Sequence, residues 1–381
     1  MARRYRRSRH VLCYWTDDGA VIHNYATAVQ AQGTELMWQL LDFCNSWRTQ
    51  AEMQRAVAHG LPDSVVLELL ESLVSTTFFE ASDRSRGLLE EKMDAWIPWN
   101  PSAGLFHTAS RQCIWGDQAP FTRKLKAKAL TSPMPASTKP PSPQRLTLPP
   151  VGRPTRFAQV LMDRRTWRQF GKRPIERTEL AQLLQLTSGV THWLTVPDLG
   201  EVPLTTSPSG GARHPIETYV VVLRVRDVPP GIYRYAPERH ELDLVRGGAT
   251  AEELRMLIPQ QPWIADAGMA ILFTALFERT QWRYEFPRAY RGVLLEAGHM
   301  CQTFLLAATS LGLAPFSTMA IDDARMETLL GLDGISEAVL YAAGAGTRPR
   351  AGGRAVMPAG EALPVTRVNV LRDARASRRR S

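Results

Sequence analysis

Cysteine is scarce: Cys13, Cys44, Cys113 and Cys301 are the only four in 381 residues. None stands in a CxxC pair, which leaves neither a disulfide framework nor a zinc spacing. Cys44 and Cys301 fall inside apolar patterns of helical period and read as small core residues of a protein in a reducing cytoplasm. No apolar run reaches membrane-spanning length, and the arginines at the N-terminus precede no signal-peptide core, so a soluble, cytoplasmic chain without a membrane partner is expected. A GxGxxG followed by an acidic residue in a βαβ unit is missing, which excludes a dinucleotide Rossmann site. GxSxG, HExxH and Walker sequences are missing too, there is no internal repeat, and no metal site is expected.

The formal charge is +9, much of it at the two ends, "ARRYRRSR" and "RDARASRRRS". Such runs read as solvated tails or as attraction to an acidic partner. No zinc spacing, RNA-binding signature or aromatic-basic stripe accompanies them, so no nucleic-acid partner is expected.

The length allows two or three domains. In residues 1–85, "HVLCYWTDDGAVIHNY" places two apolar-aromatic runs around Asp-Asp-Gly and predicts a hairpin. Leu36, Leu40, Cys44 and Trp47 recur at helical spacing, as do Val66, Leu69, Leu70 and Leu73 after a Pro62-Asp63-Ser64 start signal. Hairpin plus small helices is a winged-helix pattern, a binding module or a plain packing domain. Residues 86–154 connect, with a proline-rich linker at 131–150. From 155 to 350, helical and strand patterns mix: an amphipathic helix ended by Gly189, a strand over Tyr219–Val225, a hairpin "GIYRYAPERHELDLVRGG", a buried strand "AGMAILFTALF", a long apolar helix closed by Gly312, and a strand "EAVLYAAGAG" running into glycines. A basic tail, 351–381, follows.

Three stretches carry candidate chemistry. "DRRTWRQF" sets Arg164, Arg165 and Arg168 around Thr166; guanidinium forks and a hydroxyl suit a phosphate, and a surface basic helix is the plainer reading. "SPSGG", with Ser207, Pro208, Ser209, Gly210 and Gly211, removes two adjacent Cβ atoms where something approaches the backbone closely, or is an ordinary tight turn. "GAGTRPR" sets Arg348 and Arg350 after glycines, a phosphate contact or a loop. "EAGH" puts Glu296 and His299 on one helical face, which reads as a satisfied buried pair.

In this order, "RRTWRQF", "SPSGGARHPIETYVVV", "GIYRYAPERHELDLV", "RYEFPRAYRGVLLEAGHMCQTFLLAATSLGL" and "GAG" resemble the FMN-dependent nitroreductase fold. More closely, the chain is similar to the SagB/ThcOx-type dehydrogenases of ribosomal peptide natural-product synthesis. The first unit, with "TELMWQLLD" and "LLESLVSTTFFEA", is similar to the winged-helix peptide-recognition domains that precede such enzymes. The resemblance covers roughly 155 to 350. It implies an α+β fold, with a central, mostly antiparallel sheet wrapped by helices, in a homodimer. It also implies FMN at the interface, held at its phosphate and ribityl chain by Arg164, Arg165, Thr166 and Arg168. Pro208, Ser209, Gly210 and Gly211 would line the isoalloxazine from the partner subunit. Thr318, Met319 and Ala320 would present a backbone amide to the ring, and Arg348 and Arg350 would lie near the phosphate.

The implied reaction is azoline-to-azole oxidation on a precursor or carrier peptide, in company with other modification enzymes. Where the family has a Lys-Tyr pair handling protons, this chain has Arg283-Tyr284. Arginine keeps its proton, so Tyr284 relays alone while Arg283 binds a carboxylate or polarises an oxygen. Alternatively, the substrate is an aromatic side chain such as Trp. A non-catalytic scaffold subunit and a plain NAD(P)H-dependent nitroreductase are the competing readings.

Overall fold

A computed structural model describes residues 2–111, 118–132, 155–197, 200–259, 261–351 and 354–355, with positions 144, 146 and 148. Cys113, nearly all of the proline-rich 131–150 stretch and the basic tail beyond 355 lie outside the described residues. The chain divides into two compact units. The first joins Met1–Cys113 to Leu276–Val293 and Leu332–Ala338; the second holds the remainder.

In the first unit the predicted hairpin forms: β2 (Val11–Thr16) pairs antiparallel with β3 (Gly19–Asn24), and β4 (Val29–Gln32) adds to β3. Gly19 sits at φ +118° just past the Asp17-Asp18 turn, where a side chain would be strained. A second sheet sets β1 (Arg4–Arg7) between β5 (Arg48–Thr49) and β6 (Phe79–Ala81). Three helices close the core. Glu35–Phe43 starts on a Thr34 cap that accepts from the Met37 amide. Gln50–Ala56 starts on a Thr49–Glu52 capping box, and Asp63–Ser75 follows Pro62. Leu40, Cys44, Val66, Leu70 and Leu73 are buried there with Met53 and Phe78, as their period predicts. Trp47 instead stays partly exposed under the Arg6 guanidinium, 4.7 Å from its ring centre.

The second unit is built on a six-stranded sheet. Its strands are β9 (Ile216–Val222), β10 (Gly231–Ala236), β11 (Glu241–Gly247), β12 (Met269–Leu276), β13 (Leu313–Thr318) and β14 (Glu337–Thr347), in the order β11-β10-β9-β12-β14-β13. β9 pairs antiparallel with β10 and β12, and β13 with β14. Every residue of β9 is buried, so both faces of this strand are covered, as the unbroken run of β-branched and aromatic residues requires. β7 (Val190–Val196) and β8 (Gly200–Thr205) form a separate hairpin. The long helix Ala289–Ser310 ends before Gly312, which takes φ +73°. The described part is an α+β architecture with mostly antiparallel pairing, and none of its helices is long and apolar enough to cross a membrane.

The "GAG" glycines do not form a loop. Gly344 and Gly346 lie inside β14, and a Cβ on either would sit 2.4 Å from the Phe316 ring or 2.6 Å from Phe170. They are there to let two aromatic rings lie on the strand.

Candidate functional site

The arginine-rich stretch is not a helix. The helix Arg156–Asp163 stops at Arg164, and Arg165 donates to the carbonyls of Met162 and Arg164, satisfying groups the helix end leaves free. The following chain is pinned by its aromatics. Trp167 is buried and its amide donates to Pro315 of β13 at 2.9 Å; Phe170 packs 5.9 Å from Phe316. With Trp167 turned inward, Arg165 and Arg168 are exposed and Arg164 and Thr166 are half-buried. Arg168 lies over Trp263 at 6.0 Å.

Arg348 joins this group from the end of β14. Its guanidinium is stacked 5.4 Å from Trp167 and donates to the carbonyls of Leu313 and Thr309. Burial lowers its pKa, a shift opposed by Asp163. The side chain of Arg350 lies outside the described residues. β13, which carries Pro315, ends at Thr318, whose buried hydroxyl accepts from Gln261 at 2.8 Å and from the Ala320 amide at 2.9 Å. That shapes a turn that leaves Met319 71% exposed.

The Ser-Pro-Ser-Gly-Gly turn forms a second group, seated on the long helix. Ser207 shares a 2.8 Å hydrogen bond with Thr303, Thr206 donates to Leu186, and Ser209 accepts from the His214 amide at 2.8 Å. Gly211 is left-handed at φ +64°, and Ala212 and His214 also take positive φ, at +52° and +45°. Two non-glycine residues in that region store strain that the surrounding bonds must hold. The turn's polar groups are largely spent inward. What it presents is bare backbone: the space a Gly210 Cβ would enter is empty to 4 Å.

The residue that holds this turn is Glu296, which pattern reading paired with His299. In the structure His299 is exposed, whereas Glu296 is 5% exposed and accepts from the Ser209 hydroxyl and the Gly210 amide. Burial pushes its carboxyl up to about 7, against those two hydrogen bonds, which pull it down. A signal was present: Glu296 and Thr303 are seven residues apart, on one helical face, and both meet the turn.

Arg283 and Tyr284 lie in the first unit, just after the short helix Glu278–Gln281. Arg283 is exposed and stacks on the Tyr284 ring at 5.5 Å; Tyr284 is half-buried, edge-on to Phe286 at 5.9 Å. The Tyr284 hydroxyl has no hydrogen-bond partner among the described residues. Three residues earlier in the chain, the Nε2 donor of the buried Gln281 has no hydrogen-bond partner among the described residues, a feature no spacing announced.

Residues 161–347 match the nitroreductase family. MJ1384 of Methanocaldococcus jannaschii, a protein named for the nitroreductases, is 35% identical over 175 residues, which is 46% of this chain and 84% of that protein. The chain belongs to the nitroreductase family. This nitroreductase-family chain is also 33% identical over 168 residues to the trifolitoxin-processing protein TfxB of Rhizobium leguminosarum bv. trifolii. That stretch is 42% of this chain and less than half, 44%, of TfxB. Among solved structures, the Escherichia coli microcin synthetase McbBCD complex with truncated pro-MccB17 bound aligns at 21% identity and a TM-score of 0.45, over 64% of this chain and 86% of that one.

Proposed function

We propose that this chain is an FMN-dependent oxidoreductase of the SagB/ThcOx type that modifies a ribosomally made peptide, with azoline-to-azole oxidation as its reaction. The observation that carries the reading is kinship. A nitroreductase-family chain shares a 33%-identical stretch with a protein named for trifolitoxin processing, and its residues 1–160 lie outside the family match. On this reading residues 1–85 grip the peptide, 131–150 is a linker, and 155–350 is the flavin domain of a cytoplasmic homodimer working beside other modification enzymes.

Nitroreductase-family proteins are in general flavin-dependent oxidoreductases. The residues fit FMN. The side-chain-free face at Gly210 is the approach a flat ring needs. Arg164, Arg165, Thr166 and Arg168, with Arg348 and Arg350, would hold the phosphate and ribityl chain. Pro208, Ser209, Gly210 and Gly211 would lie against the isoalloxazine, and Thr318, Met319 and Ala320 would border it. Bound FMN supplies the two-electron acceptor. The chain's own part is to bind and to move a proton. Tyr284 would relay the proton lost from the azoline ring, its hydroxyl accepting that proton as its own passes to water, while Arg283 keeps its charge and binds a carboxylate or polarises an oxygen. Arginine in place of lysine favours one further reading, oxidation of an aromatic side chain such as Trp.

The purified protein is expected to be yellow and to release FMN on denaturation. With its peptide, it should produce a loss of two hydrogens for an azoline, or a gain of oxygen for an aromatic substrate. A colourless protein that cannot be reconstituted would leave the scaffold role. Arg164→Ala is expected to weaken FMN binding about tenfold or more, as loss of a charge-assisted contact does, measured by flavin fluorescence titration. Unchanged affinity would remove Arg164 from the phosphate site.

A further inference from the structure

The Arg283-Tyr284 loop is built on residues far from it in sequence, upstream of the family match. Within the first unit, the Trp99 indole N–H donates to the Tyr284 carbonyl at 2.7 Å. Trp99 belongs to a short 3-10 helix, Asp94–Trp99, and is fully buried. It meets Trp96 edge-on at 5.5 Å and Tyr290 at 6.0 Å, and Trp96 lies 4.7 Å from both His107 and Phe277. His107 bonds the Tyr290 hydroxyl at 3.0 Å and the Gly334 carbonyl at 2.8 Å. Burial lowers its pKa to about 4, so the neutral ring donates to Gly334 and accepts from Tyr290.

The same stretch also grips the 333–335 turn. Trp96 donates to the Ile335 carbonyl at 3.0 Å, and Lys92 pairs with Asp333 at 2.8 Å. Burial raises the Asp333 carboxyl, but hydrogen bonds from Lys92 and the amides of Ile335 and Ser336 outweigh it and hold the group well below the usual carboxylate range. In the other direction, His10 reaches the Glu90 carbonyl and the Asp94 carboxylate at 3.1 Å each, and the Ser8 hydroxyl reaches Glu90 at 2.5 Å. Hydrogen bonds therefore link the Ser8–His10 turn between the first two strands to residues 90–94, and residues 96–99 to Ile335 and to the backbone of Tyr284.

We infer that Trp99 is a positioning residue for Tyr284, and that residues 90–107 form a rigid base within the first unit between its N-terminal strands and the loop that carries Arg283 and Tyr284. The role assigned to Tyr284 rests on the function proposed above; the base itself does not. An indole N–H fixed on a carbonyl sets the height and direction of the residue's Cα, and hence where its phenol stands. Phe286 and Arg283 touch only the ring. The loop's own amide bonds, Trp282 to Glu278 and both Arg283 and Tyr284 to Thr280, close one short turn and give no anchor outside it.

The test uses the full chain with Trp99→Phe, which keeps an aromatic ring and removes the N–H, and Trp96→Phe as its counterpart, which loses the bond to Ile335 instead. Amide exchange of 282–284 is followed by mass spectrometry, and the Tyr284 phenol by its rate of nitration with tetranitromethane. Trp99→Phe is expected to speed exchange at 282–284 about five- to tenfold, as loss of one buried hydrogen bond does, and to change the nitration rate. Trp96→Phe is expected to loosen 333–335 and leave both loop readouts as in the wild type. Equal loop readouts in wild type and Trp99→Phe would overturn the inference, as would equal loosening of 282–284 by both variants. Full turnover in Tyr284→Phe would remove the catalytic role alone and leave the exchange result to decide the base.

Discussion

Tyr284→Phe is expected to lower turnover of the peptide by about 10²- to 10⁴-fold, the range lost when a positioned proton carrier is removed, while FMN stays bound. Arg283 is exposed, stacked on the tyrosine, and carries no base at any ordinary pH. Glu285 and Arg288 are exposed as well. Tyr284 alone combines partial burial with a hydroxyl free of partners among the described residues. Phenylalanine keeps the contact with Phe286 and the backbone bond from Trp99, so folding and flavin content should hold. Turnover within twofold of wild type would take Tyr284 out of the mechanism. Arg283→Lys then becomes informative. A gain in azoline oxidation would place the proton-handling pair at this position, and a loss would assign Arg283 to substrate binding.

The second large effect concerns Glu296. Its carboxyl is raised from 4.5 to about 7 by burial, so the folded protein holds a proton that the unfolded chain has released. Stability from this group is therefore fully present below pH 4.5 and is lost as pH rises through about 7. A shift of that size corresponds to about 3 kcal/mol between the two ends of the window. Glu296→Gln keeps an oxygen for the Ser209 hydroxyl and the Gly210 amide but cannot ionise. Denaturant midpoints of the two proteins at pH 5 and pH 8 should show the variant losing much less stability at the higher pH. Parallel pH curves would contradict the burial of this carboxylate. Glu296→Leu, which removes both bonds to the turn, is expected to weaken FMN retention as well, because Ala212 and His214 have positive φ that the chain would otherwise relax.

Local pattern carried much of the fold. The Asp-Asp-Gly hairpin, the β9 run of Tyr219 to Val222, the β10–β11 hairpin and the helix closed by Gly312 follow from periodicity and turn chemistry that act over a few residues. The arginines, the double glycine and Arg283-Tyr284 stood out because their residue types are unusual together, and the motif order pointed to the family to which the chain belongs. Where pattern reading erred, a distant partner was the cause. "RRTWRQF" has a helical look, yet Trp167 is claimed by β13. The "GAG" glycines look like a phosphate loop, yet they make room for Phe316 and Phe170.

By itself, then, the sequence determined the hairpins, the helices and the buried strands, since each depends on neighbours along the chain, and its motif order pointed to the family. Only the tertiary structure decided that Glu296 anchors the glycine turn and that Trp99 holds the backbone of Tyr284. Burial and hydrogen bonding between residues about 90 and 185 positions apart leave no periodic trace, so no local reading can assign their partners.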